Sequence, residues 1–294
     1  QDKTPNLVVV PTTLLFNWEV ELKKFAPKLT YHVFHGSGRD KEIEYFSDYN
    51  LILTTYGIVT RDIQLLRDFG FNYVILDESQ AIKNPTSQRY KAVFLLQAQN
   101  RLALTGTPVE NSTMDLYSQM NFVNRGFFGS FNSFREKFTM PIDKDGNEEV
   151  LRILGKMINP FVLRRTKEKV AADLPEKTET ILYCEMEREQ REVYDAFRNK
   201  YRDKLLGRIK QDGLDKSRIF VLEGLMKLRQ VCDSPAILSD EEQYTQRSVK
   251  IEELLRHIEE KTSNHKILVF SQFVKMLKLV ESKLIKHKVD FEYL

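Results

Sequence analysis

Two adjacent carboxylates, Asp77 and Glu78, are the residues best suited by type and spacing to do chemistry. They follow directly on Tyr73-Val74-Ile75-Leu76, an apolar, strand-prone run of the kind that forms a central strand of a parallel sheet, covered on both faces. In open α/β sheets, ligands sit beyond the carboxyl ends of such strands, where both acids would emerge. Side by side, two acids can hold a magnesium ion through water and polarise an attacking water, the work of nucleoside triphosphate hydrolysis. The same residues also suit a strand that happens to end in a charged turn.

The elements that must position the pair alternate along the chain. Leu7-Val8-Val9-Val10 reads as a buried strand stopped by Pro11. Thr12 or Thr13 can cap the next helix, whose Leu14, Leu15, Trp18, Leu22 and Phe25 share one face. On that face Trp18 suits core packing better than stacking on a base. Strands are expected at Tyr31–Phe34 and Leu51–Tyr56, the latter running through Gly57 into a helix that ends near Phe69. After the acids, Asn84 and Pro85 have the form of a helix cap and first helical residue, with the helix reaching Leu96. A strand at Arg101–Leu104 and a capping box at Ser112-Thr113-Met114-Asp115 follow. Strands alternating with helices predict a parallel α/β sheet for roughly residues 5–125.

Beyond Gly126 the texture changes. Phe127, Phe128, Phe131, Phe134 and Phe138 suggest small helices packed by aromatics, and 143–147 a polar turn without the acid a calcium loop needs. Val193, Phe197, Tyr201, Leu205 and Ile209 recur every four residues, an amphipathic helix, and a second covers about 217–231. Helix 250–260, strand 266–270 and helix 274–286 restore an α/β pattern.

Composition bounds the class. In 294 residues, 41% hydrophobic and 30% charged, there is room for two domains with real cores. No apolar run approaches the roughly 18 residues of a membrane span, and no signal peptide opens the chain, so no membrane partner is expected. Cys184 and Cys232 lie far apart in no metal-ligand spacing, which suits an intracellular, reducing setting. His32 and His35 lack further ligands nearby. The net charge is +3, yet residues 152–210 hold 15 Lys and Arg against 10 Asp and Glu. That basic middle can face phosphates or simply form solvated helices.

Seven ordered segments resemble the motor of Swi/Snf-family DNA translocases in helicase superfamily 2. Leu7 to Thr12, with Trp18 and Phe25, resembles motif Ia, and Leu53-Thr54-Thr55-Tyr56 motif Ib. Asp77-Glu78-Ser79-Gln80 through Pro85 resembles motif II, and Leu104 to Pro108 with Glu110 and Asn111 motif III. Pro160 to Arg165, continuing to Leu174-Pro175-Glu176-Lys177, resembles the crossing between the two lobes. Leu228 to Pro235 matches a further family segment, and Ile267 to Phe273 resembles motif IV.

The resemblance implies an incomplete first RecA-like lobe at 1–125, a helical insertion and inter-lobe linker at 126–180, a helical protrusion at 181–240 and the beginning of a second RecA-like lobe at 241–294. It implies ATP and Mg2+ as cofactors, with Asp77 coordinating the metal and Glu78 activating water. Gln80, where many relatives carry His, would couple through Thr105 to the DNA side. Ser79 replaces the usual Gly or Ala, a change expected to be tolerated. Double-stranded DNA, and a DNA-bound protein to displace or remodel, are the implied partners. Pro11, Thr12, Thr55, Gly106, Thr107, Ser271 and Gln272 fall in phosphate-contacting motifs, although for each Thr or Ser a helix cap or turn is an equal alternative. Arg164 and Arg165 can meet phosphate, couple the lobes, or pair with acids in the linker.

No Gly-x-x-x-x-Gly-Lys-Ser/Thr loop occurs in the sequence. The expectation is therefore a piece of a larger motor, inactive as an ATPase alone, with the acid pair exposed at the sheet's edge. A strand-separating helicase and a non-enzymatic scaffold are the alternatives.

Overall fold

The computed structural model describes residues 4–106, 113–171, 173, 175, 177–212, 214–238, 244, 247–261 and 265–293, with the side chains of 168, 208–212, 214–216 and 261 excepted. The expected Thr107 contact and the Ser112 cap lie outside these. The chain divides into two compact units, Gln1–Ala172 and Asp173–Leu294.

The first unit is built on five parallel strands in the order β2-β3-β1-β4-β5: β1 (Asn6–Val10), β2 (Tyr31–Phe34), β3 (Leu51–Thr55), β4 (Gly70–Leu76) and β5 (Gln97–Ala103). β1 is the true centre. Its Leu7, Val8, Val9 and Val10 are fully buried, paired on one side with β3 and on the other with β4, where Val8 faces Ile75 and Val9 faces Leu76. The expectation that β4 is covered on both faces is corrected. Its burial alternates, and Tyr73 remains 41% exposed. β5 forms the edge beside it, and its polar Gln97, Gln99 and Asn100 face outward.

The connecting helices are α1 (Leu15–Phe25), α2 (Tyr56–Arg61), α3 (Ile63–Leu66), α4 (Gln88–Leu95) and α5 (Thr113–Val123). Several boundaries differ from the sequence reading. Thr12–Leu14 form a 3-10 turn with no side-chain cap, because the Pro11 carbonyl already accepts the Leu14 N–H at 3.0 Å. Phe25 projects from α1 at 70% exposure instead of joining its buried face. The single helix expected up to Phe69 breaks at Asp62, a nearly buried carboxylate that accepts the Arg39 Nε–H at 2.6 Å. Asn84 caps no helix. Its Oδ1 holds the Thr86 N–H at 2.9 Å in a local turn, and Ser87 caps α4 by accepting the Tyr90 N–H.

Downstream in the same unit come α6 (Phe131–Phe134), a π-helical stretch over Arg135–Lys144 that contains Pro141, α7 (Glu148–Ile158) and α8 (Lys167–Val170). The clustered phenylalanines pack as expected, with Phe128 and Phe134 buried against Leu116, Tyr117, Met120 and Leu154. Gly126 and Gly129 both adopt positive φ in the turn that leads into this cluster, a conformation glycine adopts without steric penalty. Residues 143–147 are only partly a turn. Asp143 lies in the last turn of the π-helical stretch and accepts the Thr113 N–H at 3.3 Å, while Asn147 caps α7.

The second unit contains α9 (Arg188–Asp212), α10 (Leu214–Asp233), α11 (Val249–Lys261) and α12 (Val274–Lys286). Tyr201 of α9 packs on Phe220 of α10, their ring centres 5.2 Å apart, and Gly224 lets the two helices approach. α11 and α12 bury Ile251, Leu255, Ile258, Met276, Val280 and Leu284 against one another. Residues 266–270, expected as a strand, carry no regular secondary structure. A strand requires a pairing partner, and none of the described residues provides one. Leu268 and Phe270 are left 78% and 86% exposed.

Candidate nucleotide and nucleic-acid site

The parallel sheet places the carboxyl ends of its strands along one rim, so Pro11, Thr55, Asp77 and Leu104 emerge on the same side. Asp77 continues the β1–β4 ladder by one bond, its N–H donating to the Val9 carbonyl at 2.9 Å. Its side chain is held at both oxygens. Oδ1 accepts the Glu78 N–H at 2.9 Å, and Oδ2 accepts the Trp18 Nε1–H at 2.8 Å. The Tyr56 hydroxyl donates to the Asp77 main-chain oxygen at 2.7 Å. Burial first, then the charges of Asp77 and Glu78, push the Tyr56 phenol far above its ordinary pKa, so it stays a neutral donor.

Glu78 occupies the left-handed region at φ 49° and ψ 53°. For a residue with a Cβ this costs about 1–2 kcal/mol. The kink lets the chain leave β4 while the Ser79 N–H still reaches the Leu104 carbonyl at 2.9 Å, which pins the acid loop to the end of β5. Glu78 Oε2 accepts the Gln80 Nε2–H at 2.6 Å, and Gln80 Oε1 accepts the Thr105 hydroxyl at 3.0 Å. One amide thus joins the second acid to the strand-end threonine. Ser79 is fully buried, and its hydroxyl donates to Gln119 Oε1 on α5, a bond that Gly or Ala would not make.

The pair is therefore not exposed at the sheet's edge. It is half-buried at the end of an interior strand, fixed by hydrogen bonds from three elements. Neither acid has an ion-pair partner among the described residues. Each Asp77 oxygen receives one donor and keeps further lone-pair capacity. An uncompensated, pre-oriented carboxylate pair of this kind fits a hydrated divalent cation.

The other expected site residues are more scattered. Pro11 is half-buried and Thr12 exposed beside it. Thr55, only 2% exposed, accepts the Ile58 N–H and so caps α2. Gly106 is exposed, with open space where a side chain would stand. Arg164 and Arg165 are exposed and make no ion pair among the described residues; the side chain of Glu168 and the whole of Glu176, two of the linker acids, lie outside these. In the second unit Ser271 accepts the Phe273 N–H at 3.2 Å ahead of α12, and Gln272 accepts from Arg229.

Sequence reasoning missed the roles of Trp18 and Tyr56. A signal existed, since half-buried or buried indole N–H and phenol O–H groups need partners. That the partner is Asp77 follows only from the adjacency of β1, β3 and β4.

Comparison with known proteins agrees with this architecture. Residues 1–237 match the family model of the SNF2-related domain. The YwqA protein of Bacillus subtilis, provisionally named an ATP-dependent helicase/translocase, is 35% identical over 94% of this chain, which spans 30% of its length. The chromatin-remodeling ATPase INO80 of Schizosaccharomyces pombe is 32% identical over 81% of this chain, which spans 16% of its length. Among solved structures, the Sulfolobus solfataricus SWI2/SNF2 ATPase core in complex with dsDNA is 40% identical and superposes with a TM-score of 0.56. That match covers 98% of this chain and 60% of the other, and the five-stranded sheet corresponds to its RecA-like lobe. The chain belongs to the SNF2-related domain family.

Proposed function

We propose that this chain is part of an ATP-driven motor that tracks along double-stranded DNA, inside the cell, and displaces or remodels protein bound to it. The observation that carries the reading is the hydrogen-bonded chain from Glu78 through Gln80 to Thr105. It links the acid suited to activate water with the strand end that leads to Gly106. In this reading Asp77 would hold Mg2+, which would supply charge neutralisation to the phosphates of ATP. Glu78 sits as general base, its carboxylate held by the Gln80 Nε2–H. Pro11, Thr12 and Gly106 are the first-unit positions offered to the nucleic-acid backbone, and Ser271 with Gln272 those of the second. That a structural relative was solved on dsDNA, and that relatives are named helicases or remodelling ATPases, supports the partner and substrate.

These 294 residues hold the acid half of the site and no phosphate-binding loop, so on their own they are proposed to hydrolyse ATP negligibly. The test compares DNA-stimulated ATPase of this chain with that of one extended at both ends. The longer chain is expected to turn over at least about a thousandfold faster, the scale of one missing phosphate-clamping residue. Comparable rates would refute the inactivity. In the longer chain, Glu78→Gln is expected to lower kcat by about 10²–10⁴. A loss below tenfold would remove Glu78 as the base. No turnover from either length would instead favour a binding scaffold, and strand separation of a tailed duplex would favour an unwinding helicase.

A further inference from the structure

Trp18 is the one tryptophan of the chain. It sits on α1, half-buried beside Leu14, Leu15 and Leu22 in the cluster that covers β1 and β3. Packing accounts for the ring but not for the direction of its N–H, which meets Asp77 Oδ2 at 2.8 Å across 59 residues of sequence. The chemistry of this donor is unusual for a carboxylate partner. An indole nitrogen donates one hydrogen bond, accepts none and carries no charge. It therefore fixes the rotation of a carboxylate without neutralising it, whereas Lys or Arg in its place would form an ion pair and compete with a cation. The Glu78 N–H fixes the other oxygen in the same manner. Each oxygen accepts one donor, and the remaining lone pairs stay available.

We infer that Trp18 is a positioning residue for Asp77: its N–H holds the carboxylate in the rotation that presents the remaining lone pairs to a hydrated divalent cation. The inference rests on the reading of Asp77 as the metal-holding acid. It also gives α1 a second role. The helix begins three residues beyond Thr12, so the segment offered to nucleic acid leads directly into the helix that orients Asp77.

The experiment replaces Trp18 by benzothienylalanine, in which sulfur stands for the N–H in a ring of nearly the same size. Trp18→Phe serves as a second variant that keeps an aromatic ring. Mn2+ is the probe, its binding to the full-length protein with ADP read by electron paramagnetic resonance. The Mn2+ dissociation constant is expected to rise 10–100-fold, the range for a lost outer-shell partner. The unfolding midpoint of the benzothienyl protein is expected to stay within about 3 °C, since the packing is retained. A rise below tenfold in both variants would overturn the proposal, as would a rise matched by an equal loss on replacing the distant Trp-free cluster residue Phe134 by Leu. Asp77→Asn separates the two levels. If it abolishes Mn2+ binding while the Trp18 variants bind normally, Trp18 has no positioning role and the reading of Asp77 stands. If it leaves Mn2+ binding unchanged, that reading fails and the inference with it.

Discussion

Tyr56 sets the clearest pH dependence at the scale of single residues. Its buried hydroxyl donates to the Asp77 carbonyl, and its pKa lies well above the usual value near 10. The folded state therefore holds the phenolic proton more tightly than the unfolded chain. Its contribution to stability is present in full below about pH 10 and declines above it, as only the unfolded chain ionises. The expected slope is about 1.4 kcal/mol per pH unit from this one group. Denaturant titrations between pH 9 and 11.5 should show a shallower alkaline decline in Tyr56→Phe than in the parent. Equal slopes would show that Tyr56 ionises freely in the fold. The residue types at the candidate site were largely legible in the sequence: Asp77, Glu78, Gln80 and Thr105 are brought together. What was not legible is geometry. Nothing in the order of residues shows that Glu78 turns left-handed, or that the donors to Asp77 come from α1 and from the start of α2.

Helices and strands were read more reliably than their ends. α12 has the expected bounds, α9 carries the four-residue repeat of Val193, Phe197 and Tyr201, and α10 spans the second helix expected over about 217–231. The side chain of Ile209 lies outside the described residues. Caps misled because several local bonds satisfy the same residue types. Asn84 can cap a helix or close an Asx turn, and here it closes the turn while Ser87 caps. Two glycines on neighbouring helices make a test of packing against propensity. A Cβ on Gly207 of α9 would meet nothing within 4 Å, whereas one on Gly224 of α10 would lie 2.9 Å from Tyr201 Cδ1 and 3.4 Å from its Cβ. Gly207→Ala is expected to stabilise by about 0.5–1 kcal/mol through helix propensity alone. Gly224→Ala is expected to destabilise by about 1–3 kcal/mol, because the ring it strikes is held close to its own backbone. Chemical denaturation measures both, and a stabilising Gly224→Ala would mean that α9 and α10 separate without penalty.

For the molecule as a whole, the sequence conveyed the α/β class and its parallel sheet, since alternation of strand and helix leaves few topologies. It read both β1 and β4 as buried, and only β1 is buried along its apolar run. Both are apolar runs inside the sheet, and what differs is the cover over their faces, which the order of residues does not show. The error at 266–270 is of another kind. Lys266-Ile267-Leu268-Val269-Phe270 has every local property of a strand, but pairing is a property of two segments, and no described residue pairs with this one.

That segment, unpaired among the described residues, is expected to influence how this chain behaves in concentrated solution. A strand-prone run free of proline and glycine, with Leu268 and Phe270 largely bare, can pair with an identical run on another molecule. A net charge of only +3 supplies little repulsion to keep copies apart. Light scattering should therefore rise steeply with concentration and fall when Leu268→Lys and Phe270→Glu are introduced together, while helix content by circular dichroism stays constant. Unchanged scattering would place the self-association elsewhere. On this account two charged side chains lower the tendency of the second unit to stick to its own kind through this segment.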